Sequence, residues 1–137
     1  MRKRSWLVVA VAGVLAVSLV SSVSAAPSVD LAIKPTNPIV DESVTATFTV
    51  EKSVPAGNSI TALLTGTGGC EEIAFKEFKG PLNSGKHLRA RFSPAHQVFG
   101  SANEWCQGRA FVKITEATGK KFIRTLAKKY FRFYGRP

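Results

Sequence analysis

Residues 43–51 read SVTATFTVE, and their period is two. Val44, Ala46, Phe48 and Val50 alternate with Ser43, Thr45, Thr47, Thr49 and Glu51. Successive side chains on a strand point to opposite faces, so this stretch presents one face to a core and one to water, as an antiparallel sheet requires. The alternation recurs in HLRARFS at 87–93, where Leu88, Ala90 and Phe92 alternate with His87, Arg89, Arg91 and Ser93. In residues 106–115 the inward set is Cys106, Ala110, Val112 and Ile114, and weaker strands fall at 29–34, 59–65 and 71–78. Turn signals separate them: PTNP at 35–38, PAGN at 55–58, GTGG at 66–69, the glycines of 80–85 and Thr118-Gly119. This pattern predicts an all-β, antiparallel sandwich of about seven strands.

The N-terminus predicts a compartment. Arg2, Lys3 and Arg4 precede an uncharged apolar run from Trp6 to Val20, and small residues follow in SSVSAA at 21–26. That order is a secretory signal peptide, with Val23 and Ala25 at the −3 and −1 positions and cleavage after Ala25. An uncleaved membrane anchor is the alternative, because residues 5–29 are uncharged and long enough to span a bilayer. Removal of residues 1–25 leaves 26–137 as one domain, secreted or held in the cell envelope. The two cysteines, Cys70 and Cys106, then sit in an oxidising compartment, where an even count predicts one disulfide between them. A zinc site from Cys70, Cys106, His87 and His96 lacks the close ligand pairs such sites use. The expectation is therefore no metal and no cofactor.

The net charge is +10, and it is unevenly distributed. Residues 26–105 are close to neutral, whereas 106–137 carry nine basic side chains and a single acid, Glu116. Within KKFIRTLAKKYFRFY at 120–134, aromatic and apolar residues interleave with cations. On a helical wheel Phe122, Ile123, Leu126, Ala127, Tyr130, Phe133 and Tyr134 gather on one side, the pattern of a cationic amphipathic helix. As a strand at 128–134, Phe131 and Phe133 enter the core while Tyr130, Arg132 and Tyr134 face out, and residues 116–127 form a long hairpin arm. Aromatic and β-branched content favours the strand.

GPLNSGKH at 80–87 matches the spacing of a phosphate-binding loop apart from its last residue. Such a loop needs a helix after the lysine, whose N-terminus helps hold the phosphates. Here Lys86 leads into an alternating strand and His87 replaces the metal-binding hydroxyl, so the segment reads as a hairpin turn.

Residues 28–134 resemble the immunoglobulin-like or fibronectin-type-III-like sandwiches of exported bacterial proteins. The carriers are PTNPIV at 35–40 leading into SVTATFTV, RFSP at 91–94, and WCQGRAFVKI at 105–114, which is similar to the F strand of such domains. The cysteines depart from the antibody pattern: the B-like strand has none, so a Cys70–Cys106 bond is not the usual B–F bridge.

No catalytic constellation stands out. His87 and His96 fall on an outward strand position and in a loop, and the pairs Asp41-Glu42 and Glu71-Glu72 read as solvated ends of strands rather than acid–base pairs, because neighbours on a strand point to opposite faces. Trp105 is expected to pack on the disulfide. The basic–aromatic end is the candidate binding surface, with Lys120, Lys121, Arg124, Lys128, Lys129 and Arg132 as contacts for an anionic envelope polymer, a lipid surface or an acidic protein. The expected function is a non-catalytic, exported binding or adhesion module with no nucleic-acid partner. The rivals are a cationic membrane-active protein with a C-terminal amphipathic helix, and a small secreted enzyme or inhibitor using the loop at 66–70 or 93–105.

Overall fold

Every strand the alternation predicts forms, and all pair antiparallel. The computed structural model describes residues 30–67, 72–98 and 103–137. The expected signal peptide and Cys70 lie outside the described residues. The strands are β1 (Leu31–Lys34), β2 (Val44–Thr49), β3 (Asn58–Gly66), β4 (Ile73–Lys79), β5 (His87–Phe92), β6 (Gly108–Thr118) and β7 (Lys121–Phe133). They form a three-stranded sheet in the order β1-β2-β5 and a four-stranded sheet in the order β4-β3-β6-β7.

The period-two residues meet between the sheets. Val44, Ala46 and Phe48 of β2 and Leu88, Ala90 and Phe92 of β5 face Ile60, Ala62 and Leu64 of β3 and Ala110, Val112 and Ile114 of β6 in one buried cluster. Small alanines lie on both inner faces, which lets the bulky side chains interdigitate at core density.

Two expectations are corrected here. GPLNSGKH is a turn but not a hairpin, because β4 and β5 belong to different sheets. The segment crosses the end of the sandwich, and Leu82 is buried and exchanges two backbone hydrogen bonds with Val54, both 2.8 Å. An apolar residue mid-loop, paired with a distant backbone, anchors the crossing; Lys86 stays exposed. Cys106 is not an inward strand residue either. β6 starts at Gly108, whose φ of 124° breaks the strand from the preceding Trp105-Cys106.

Residues 121–133 are strand, so the amphipathic-helix reading does not hold. β6 and β7 form a long hairpin closed by Gly119-Lys120, with Gly119 at φ 56°, a conformation glycine adopts without steric penalty. Packing explains why the strand wins. Phe133 is fully buried, stacks on Trp105 at 5.2 Å and meets Phe131 edge-on at 5.0 Å. Trp105 therefore packs on Phe133, while its indole N–H donates to the Glu42 carbonyl at 2.7 Å. The chain after β7 is tied to the first sheet's leading loop, with Val40 N donating to Tyr134 O and Tyr134 N to Pro38 O, each at 2.9 Å.

Candidate functional site

The β6–β7 register decides what the basic end presents. Arg109 pairs with Arg132, Phe111 with Tyr130, and Lys113 with Lys128. These positions alternate with the buried Ala110, Val112 and Ile114, so all six lie on the outer face of the four-stranded sheet. Further along, Thr115 pairs with Thr125 and Ala117 with Phe122. Two bulges leave Leu126 and Ile123 without a register partner. Each extra residue flips the alternation once, so together they cancel and return Phe122 to the face that carries Tyr130.

The centre of this face is an aromatic pair held between cations. The Phe111 and Tyr130 rings meet edge-on with centroids 5.7 Å apart. The Arg109 guanidinium lies 4.5 Å from the Tyr130 centroid, and the Lys128 ammonium lies 4.3 Å from Phe111 and 4.9 Å from Tyr130. A hydrogen bond from Lys128, reinforced by the positive charge of Lys128 and Arg109, holds the Tyr130 hydroxyl below the usual phenol range against a smaller opposing effect of burial. Among the described residues, the carboxylate on this face is Glu77 of β4, three strands away from β7 across the sheet. Around the β7 edge, a groove of about 480 Å³ is lined by Arg109, Lys129, Arg132, Tyr130, Phe131 and Tyr134, together with Thr36 and Asn37 of the β1–β2 turn. Among the described residues, no carboxylate lines it.

The six cations expected to act together are divided. Lys128 and Arg132 stand on the outer face, and Lys129 points to the opposite side, with its ammonium 3.5 Å from the Leu31 carbonyl. Arg124 is committed to Glu116: its Nε and Nη2 donate to Oε1 at 3.1 and 2.9 Å, while Asn58 donates to Oε2 at 3.1 Å. Glu116 is 5% exposed, so this pairing is what allows a buried carboxylate. Lys120 and Lys121 form the hairpin tip. Arg109 and Lys113 were missed as members of the site. Nothing in the local sequence marks them; the pairing register does.

His87 and His96 are both exposed, and His87 Nδ1 lies 3.0 Å from Thr49 Oγ1. Glu72 corrects the expectation of a solvated strand end, because its side chain is buried. It is 1% exposed, its Oε2 accepts from the Cys106 amide at 2.6 Å, and its Oε1 has no hydrogen-bond partner among the described residues. Burial pushes its carboxyl above the ordinary value, partly offset by the Cys106 amide.

No protein-family model matches the sequence, and no curated protein matches it. Among solved structures, the chain is similar to the Pseudomonas fluorescens alkylpurine DNA glycosylase AlkC bound to DNA containing an abasic site analog, at 20% identity and a TM-score of 0.46. The match covers 82% of this chain and 32% of the glycosylase. Two expectations stand against this likeness, an adhesion or envelope module directed at envelope polymer, lipid or acidic protein and the exclusion of nucleic acid as a partner. Neither is carried further. At this identity and score, the likeness transfers none of the glycosylase's activity or DNA contacts to the present chain.

Proposed function

We propose that the outer face of β6 and β7 is a nucleic-acid-binding surface, and that the protein acts as a non-catalytic binding module. The observation that carries the reading is the pair of like-charge rungs, Arg109 opposite Arg132 and Lys113 opposite Lys128, flanking an aromatic rung. Like charges directly opposite each other destabilise a sheet. An anionic polymer laid along the ladder turns that repulsion into attraction, and the aromatic rung between the charges offers base-stacking area. The β1-β2-β5 and β4-β3-β6-β7 strand orders support an immunoglobulin-like fold of the fibronectin-type-III kind, with the fourth strand beside β3. We further propose that Cys106 pairs with Cys70, in keeping with the absence of a free cysteine among the described residues, and that residues 1–25 direct export.

Fluorescence anisotropy with a labelled twelve-residue oligothymidylate, titrated with salt, tests the proposal. Four phosphate-neutralising cations give a log–log salt slope of about −2.8 for a single strand, and Lys128→Ala reduces its magnitude by about 0.7. Absence of binding at low salt, or a slope that Lys128→Ala leaves unchanged, refutes it.

A further inference from the structure

We infer that the occupant is a single strand in an extended conformation, running along the β6–β7 ladder with one nucleotide per two-residue step. The inference rests on the nucleic-acid reading above and specifies the form of its ligand. On the outer face of β6 the positions are Arg109, Phe111, Lys113, Thr115 and Ala117, opposite Arg132, Tyr130, Lys128, Thr125 and Phe122. Successive rungs on one face are about 6.8 Å apart, so the five rungs span about 27 Å. Stacked bases repeat at about 3.4 Å along a strand. Rungs at twice that spacing fit bases pulled apart from one another, whereas a duplex keeps its base faces covered and leaves the aromatic rungs unused.

The order of chemistry along the ladder agrees with that spacing: cation pair, aromatic pair, cation pair, hydroxyl pair, then Phe122, which is 58% exposed. The nucleotides at the Arg109–Arg132 and Lys113–Lys128 rungs present their phosphates to the cations, and the nucleotide between them lays its base over Phe111 and Tyr130. Arg109 and Lys128 cover these rings in the free protein; both are long side chains that swing to a phosphate and uncover the ring face. The Thr115 and Thr125 hydroxyls donate to the next phosphate. Phe122, kept on this face by the two cancelling bulges, stacks the last base. The footprint is four to five nucleotides on this spacing.

A length series of oligothymidylates from two to twelve residues, set beside a hairpin duplex, anionic vesicles and dextran sulfate, tests the inference on the intact protein. Affinity is expected to rise steeply to about five nucleotides and then flatten, with the duplex at least tenfold weaker. Phe122→Ala, whose folding is checked by its thermal midpoint, is expected to move the break one nucleotide shorter and to weaken the five-residue oligomer at least fivefold, leaving the three-residue one unchanged. Equal duplex binding, or no break and no effect of Phe122→Ala, overturns the extended single strand; the salt slope and Lys128 dependence then still stand or fall on their own. Equal or tighter binding of dextran sulfate or vesicles, independent of Phe122 and Tyr130, overturns the inference in favour of a surface that recognises charge alone.

Discussion

Replacing Phe133 with alanine removes the side chain that joins the last strand to the core. Phe133 is fully buried, with Trp105 stacked on one side and Phe131 against its edge. Loss of a buried phenylalanine costs about 3–5 kcal/mol through lost transfer energy and the cavity left behind. A domain of this size is stable by about 5–15 kcal/mol in total, so the variant sits near the threshold of folding. In urea denaturation followed by tryptophan fluorescence, with an m-value of about 2 kcal/mol/M, the midpoint falls by about 1.5–2.5 M. Its neighbour Arg132 is exposed on the opposite face, and Arg132→Ala stays within about 0.5 kcal/mol of the parent. A loss below about 1 kcal/mol in Phe133→Ala refutes the reasoning, because β7 then does not close the core.

Three further outcomes follow from particular groups. Glu72 has a folded-state pKa raised above its unfolded value, so the folded chain holds the proton more tightly and stability falls as pH rises from about 4.3 towards the folded value. Glu72→Gln keeps an acceptor for the Cys106 amide and removes that fall; stability curves of the two proteins that stay parallel between pH 4 and 7 refute it. The depressed Tyr130 phenol adds negative charge to the surface as pH rises towards about 10, so oligothymidylate binding weakens on that limb more in the parent than in Tyr130→Phe. Identical alkaline limbs contradict the assignment. Mass measurement after alkylation without reductant is expected to find no free thiol, and removing the Cys70–Cys106 bond to cost about 4 kcal/mol on the chain-entropy account; two alkylated thiols in the native protein contradict it.

The two-residue period of SVTATFTVE and HLRARFS made the all-β fold legible, because every inward position of β2 and β5 follows from it. The role of GPLNSGKH was only partly legible. Turn residues mark a reversal, but whether the next strand joins the same sheet depends on partners far away in sequence, here Val54 for Leu82. At the basic end, composition located the surface but not its members. Charge counting grouped Arg124 with Lys128, whereas the fold buries its partner Glu116 and turns Arg124 towards it. The like-charge rungs depend on register, which two bulges set and which local sequence does not encode.

Thermal denaturation of Lys128→Glu, with and without a twelve-residue oligothymidylate, tests most directly whether the like-charge rungs serve binding. The substitution sets a carboxylate opposite Lys113 in place of a second ammonium. Relief of the like-charge pair is worth about 0.2–1 kcal/mol, and the Lys128 contacts to the Phe111 and Tyr130 rings that are lost are worth about as much, so the ligand-free midpoint is expected to stay within a few degrees of the parent. The oligonucleotide is expected to raise the midpoint of the parent and not that of the variant. A variant that the oligonucleotide stabilises as much as the parent contradicts the account.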